Sequence, residues 1–92
     1  SLAAAYAACG FWDESRRMFR EMWTACNASP ALGKSHFETL QIGTMLINSL
    51  LHSDNDAEAR DLYQEVQPRV NRLLGPDHPL AQVLQALTPY FA

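Results

Sequence analysis

The stretch Leu74-Gly75-Pro76-Asp77-His78-Pro79 repeats in part a stretch 42 positions earlier, Leu32-Gly33-Lys34-Ser35-His36. Glycine tolerates the left-handed turn just past a helix end, and proline suits the first turn of a new helix, so each copy marks a joint between helices. A second echo lies between the joints. Gly10-Phe11-Trp12-Asp13-Glu14-Ser15 with Met18-Phe19 corresponds to Asp54-Asn55-Asp56-Ala57-Glu58-Ala59 with Leu62-Tyr63, displaced by 44 positions. Two extra loop residues around Ser29-Pro30 reconcile the displacements. Self-similarity at a period of about 20–50 residues marks a repeat architecture, in which no unit buries its apolar face alone.

Outward from the joints, apolar spacing gives helix after helix, and period-two alternation never persists long enough for a strand. Residues 2–9 read as an alanine-rich helix that Gly10 ends. Over residues 13–28, Ser15, Met18, Phe19, Met22, Trp23 and Cys26 fall on one buried stripe, with Arg16, Arg17, Arg20 and Glu21 opposite. The loop of residues 27–33 follows, and Ser35-His36-Phe37-Glu38 matches a capping box. The helix it opens carries Phe37, Leu40, Met45, Leu46, Leu50 and Leu51. Gly43 inside it costs about 1 kcal/mol relative to alanine unless a neighbouring backbone packs closely there. Asn55-Asp56-Ala57-Glu58 repeats the capping pattern after a short polar gap, which predicts an αα-hairpin. The next helix carries Ala59, Leu62, Tyr63, Val66, Val70, Leu73 and Leu74, with Pro68 interrupting and bending it. A last helix from Pro79 through Leu80, Val83, Leu84 and Leu87 should run until Pro89.

The expected fold is therefore all-α, a short α-solenoid of antiparallel helix pairs with about five helices. Ninety-two residues, 48% apolar and 18% charged, make a single domain with one core and no room for a second, catalytic one. Within it, residues 1–31 form a partial repeat, 32–73 a full repeat, and 74–92 the linker and closing helix. The chain opens in mid-pattern on Ser1 and Leu2, as a piece of a longer protein would. A formal charge of −3 provides no cationic field for nucleic acid or an acidic membrane face. No apolar run approaches the roughly 20 residues that span a bilayer. Cys9 and Cys26 sit in apolar helical patterns as small packed thiols, which points to a reducing, cytoplasmic setting.

These residues resemble tetratricopeptide repeats, in the long variety of kinesin light chains and related adaptors. That variety has a Leu-Gly-x-Asp-His-Pro linker, present in full at residues 74–79 and in part at 32–36. Its Gly-x-aromatic-x-Glu-small turn is similar to Gly10-Phe11-Trp12-Asp13-Glu14-Ser15, and its Glu-Ala…Leu-Tyr signature to Glu58-Ala59 with Leu62-Tyr63. Asp54 stands where glycine is usual, Asp56 where an aromatic is usual, and Pro68 lies within a helix. The resemblance implies a non-enzymatic scaffold or adaptor that binds a peptide or partner protein on its concave helix face, packing against further repeats of its own chain. A second resemblance, to the C-terminal helical lobe of SET and MYND lysine methyltransferases, rests on Gly75-Pro76-Asp77-His78-Pro79 and implies an accessory lobe without catalysis of its own.

In such repeats the first helix of each pair lines the concave surface, which implies a partner-binding stripe of Gln41, Thr44, Asn48, Leu51 and His52. Their spacing puts them on one helical face. Asn48 leads, because a carboxamide offers donor and acceptor together and can clip an extended backbone. An ordinary solvated polar face is the plain alternative. Arg16, Arg17 and Arg20 read as a solvated face, or else as a patch for an acidic partner. His36, His52 and His78 lack the spacing of metal ligands, and Ala59 stands where a calcium loop needs glycine. No phosphate-cradling loop, nucleophile elbow or acid/base pair occurs, so no catalytic residue, metal or cofactor is expected.

Overall fold

The structure is a computed structural model that describes residues 12–29 and 37–91. Four α-helices follow one another: α1 Trp12–Ala28, α2 Phe37–His52, α3 Asp56–Leu74 and α4 Pro79–Leu87, closed by a 3₁₀ turn, Thr88–Phe91. Strands are absent among the described residues. Each helix packs on the next in sequence, and α2 also meets α4. That stacking order is a short α-solenoid. The expected helix over residues 2–9, with Cys9, Gly10 and Phe11, and the segment holding Ser35 and His36 lie outside the described residues.

Helix α2 is the hub. Leu40, Leu46, Ile47 and Leu50 are buried on it, facing Phe19 of α1, Ala59, Leu62, Val66 and Val70 of α3, and Ala81 and Leu84 of α4. The repeat is visible in burial: Ser15 and Ala59, 44 positions apart, are both 0% exposed, small residues where two helices approach closely. Some expected core positions differ. Phe37, Met45, Leu73 and Val83 come out exposed, whereas Ile47 and Ala81 are buried. In a solenoid each helix touches two neighbours, so its buried arc is displaced from the single stripe that spacing alone suggests.

At Gly43 neighbouring side chains approach α2 closely. A methyl placed there would lie 2.6 Å from Cζ3 of Trp23 and 3.0 Å from Cγ2 of Val66. An indole side chain from α1, rather than the expected backbone, occupies the space the glycine leaves.

The α2–α3 turn closes as a Schellman motif. Asn55 N–H donates to Leu50 O at 2.8 Å and Asp54 N–H to Leu51 O at 3.4 Å. The motif needs a left-handed residue, and Asp54 supplies it at φ 61°. The expected Asn55/Glu58 capping box does not form. The Asn55 amide turns back to Ser53 O and Oγ, both at 2.9 Å, and Glu58 accepts from Arg20 of α1 instead. A full positive charge on a neighbouring helix outcompetes a single backbone N–H for that carboxylate.

Pro68 does not interrupt α3, which runs for 19 residues through it. The ring is exposed and removes only the one backbone donor at position 68. Gly75, at φ 89°, ends the helix with its N–H on Asn71 O. His78 is the N-cap of α4, its Nδ1 accepting from Leu80 N–H at 3.1 Å, and Pro79 takes the first turn. The Gly, His and Pro of the linker thus each have a separate backbone task. At the far end, Tyr63 stacks on Phe91 at 4.8 Å and its hydroxyl meets Thr88 Oγ1 at 2.6 Å, folding the closing turn onto α3.

Candidate functional site

The stripe expected along α2 is divided by its surroundings. Thr44 is 4% exposed and its hydroxyl donates to Leu40 O at 2.9 Å, so both its area and its hydrogen are used within the helix. Gln41 lines a shallow hollow of about 220 Å³ with Phe19, Met22 and Met45. Asn48, Leu51 and His52 meet in a different cavity, of about 290 Å³, where the end of α2 faces the end of α4. Leu87 and Tyr90 form its far wall, and Asp54 and Asp56 of the α2–α3 turn its rim.

Local structure positions each of these groups. The His52 ring is sandwiched by function: its face stacks on Trp12 at 4.1 Å, and Nδ1 lies 2.8 Å from Asn48 O. With Nδ1–H donating to that carbonyl, Nε2 is left as an acceptor. The Asn48 carboxamide has no hydrogen-bond partner among the described residues, so its donor and acceptor are both available. Leu51 and Leu87 give an apolar floor. Tyr90 is 67% exposed, because the 3₁₀ turn carries it past the end of α4.

The arginines of α1 are engaged internally. Arg16 meets Asp13 at 3.8 Å, Arg17 pairs with Glu14, and Arg20 pairs with Glu58. Each of the three therefore has an acidic neighbour within the chain. Of the two described histidines, His52 stacks on Trp12 and His78 caps α4, with the Phe37 ring edge-on to it at 5.6 Å. Groups of three or more His, Cys, Asp or Glu able to hold a metal do not occur among the described residues.

Residues 48–80 match the family model described as tetratricopeptide repeat. This stretch is a tetratricopeptide repeat. It begins at Asn48, takes in the α2–α3 turn and all of α3, and ends on the Gly75–Pro79 joint and Leu80. No curated protein and no solved structure matches the chain. Tetratricopeptide repeats are typically non-catalytic interaction modules, and the repeat here suggests a protein-interaction module in general terms. Among the described residues no helix is long and apolar enough to cross a membrane.

Reading the sequence missed four groups of the cavity. Asp56 reads as part of a helix-capping pattern, Asp54 as a departure from glycine, Leu87 as core, and Tyr90 lies beyond Pro89, where the last helix is expected to stop. The signal that could have found Asp54 was its place where the repeat usually has glycine.

Proposed function

We propose that the chain is a non-enzymatic interaction module, a scaffold or adaptor, that takes an extended segment of a partner protein along the side shared by α2 and α4. The observation that supports this is the unpartnered Asn48 carboxamide beside the apolar floor of Leu51 and Leu87 and the exposed Tyr90 ring. An amide that gives and accepts a hydrogen bond fixes a peptide backbone, while an apolar floor and a tyrosine provide the area that makes binding favourable. Leu51 and His52 bound this surface, Thr44 supports it from beneath, and Gln41 stands apart in the hollow between α1 and α2. The reading includes a reducing, cytoplasmic setting, in which the free thiol of Cys26 persists.

A peptide array probed with the 92-residue chain and with Asn48→Ala tests the reading. Retained peptides should bind the variant about tenfold more weakly, the loss of one to two well-placed hydrogen bonds, with an unchanged melting temperature. An array pattern indifferent to Asn48→Ala would remove the groove.

A further inference from the structure

The rim of the α2/α4 cavity has a sign. The carboxylates of Asp54 and Asp56 both line it, and neither makes an ion pair or side-chain hydrogen bond among the described residues. Four other acids, Asp13, Glu14, Glu58 and Glu65, each face an arginine, while Glu21, Asp61 and Asp77 make no ion pair among the described residues but do not line this cavity. Arg60, one turn along α3 from Asp56, does not pair with it, and the cavity lining includes no Lys or Arg. The N-terminus of α3 contributes about half a positive charge at the same turn, which two carboxylates outweigh. The half-buried Leu51 and Leu87 and the exposed Tyr90 ring line the same cavity.

Building on the α2/α4 reading of the preceding section, we infer that the partner segment is basic and inserts a Lys or Arg side chain here. The carbon stem of such a side chain lies along the leucines and the tyrosine face, and its charged head reaches Asp54 and Asp56 at the wet rim. An apolar cavity of about 150 Å³ already holds a benzene molecule. The cavity here, about 290 Å³, therefore accommodates a long side chain with its backbone still outside. A glutamate or aspartate segment would meet two like charges at the same depth, so the preference is for sign as well as for shape.

The test uses three fluorescein-labelled peptides that alternate leucine with lysine, with norleucine or with glutamate. Binding to the isotope-labelled chain is followed by amide NMR shifts and by anisotropy. The lysine peptide should shift the amides of residues 48–56 and 87–90 and bind at least tenfold tighter than the norleucine peptide. Asp54→Asn with Asp56→Asn should remove that tenfold and leave the norleucine peptide unaffected. Glu21→Gln with Asp77→Asn, which removes the same charge from exposed positions outside the cavity, should leave the lysine peptide unaffected. Asp54→Gly is the companion variant whose backbone is at ease in the turn, so loss of lysine binding there cannot be assigned to misfolding. Equal lysine and norleucine affinities, a glutamate preference, or equal losses in both double variants would overturn the basic occupant while the groove stands. No shifts at residues 48–56 or 87–90 with any of the three peptides would instead remove the groove itself, and the basic occupant with it.

Discussion

Gly43→Ala sets two physical effects against each other, and the structure decides between them. Helix propensity alone favours alanine by about 1 kcal/mol at an interior helical position. Space opposes it: the new methyl would stand 2.6 Å from Trp23 Cζ3, 3.1 Å from Cε3 and 3.0 Å from Val66 Cγ2. An indole is rigid, and Val66 is fully buried in the middle of α3, so neither neighbour gives way as a flexible side chain would. Overpacking of this kind costs up to about 3 kcal/mol. The difference is a net loss of about 2 kcal/mol, which in a domain of this size lowers the melting temperature by about 8–16 °C. Urea unfolding followed by circular dichroism should show a lower midpoint with an unchanged slope. In a Trp23→Leu background the same substitution should cost markedly less, since both indole atoms it meets are gone and only the Val66 Cγ2 contact remains. A Gly43→Ala chain more stable than its parent would refute the packing of Trp23 against α2.

Three further outcomes are expected. Asp54→Gly should raise stability by about 1 kcal/mol, because the left-handed turn at φ 61° is strained for aspartate and free for glycine; a thermal melt checks it, alongside weaker binding of the lysine peptide. Ser49→Ala should raise stability by about 1 kcal/mol, since the buried Ser49 hydroxyl has no hydrogen-bond partner among the described residues and alanine is the better helix former; a urea midpoint that falls would contradict this. Glu58→Gln should cost less than about 1 kcal/mol, because its pairing with Arg20 is half exposed, and the difference should shrink in high salt.

Much of the architecture is legible in the chain because its joints are written in backbone chemistry. Gly75, His78 and Pro79 each act within a few residues of themselves, so their spacing is enough to end α3 and start α4. What long-range neighbours decide is not legible in the same way. Glu58 looks like one half of a capping box until Arg20, on another helix, takes it. Gly43 is conspicuous in sequence, but its reason is an indole 20 positions away. Of the expected stripe, Asn48, Leu51 and His52 share one cavity, Gln41 another, and Thr44 is buried, because α4 and α1 cover different lengths of α2. Tyr90 was hidden for a different cause: Pro89 reads as a terminator, yet the chain passes through it in a 3₁₀ turn that still packs on α3.

The corner between α3 and α4 works as a welded bracket. Its course is held by a glycine at φ 89°, a histidine cap and a proline ring, so the heading of α4 is fixed before that helix touches anything. Leu87 sits at the end of a nine-residue arm, about 13 Å long at the usual helical rise. A tilt of about 10° at the bracket would swing that tip by about 2 Å, enough to open or shut one jaw of the cavity. In the proposed reading, substitutions at the bracket would therefore retune grip without touching the residues that hold, by angle alone.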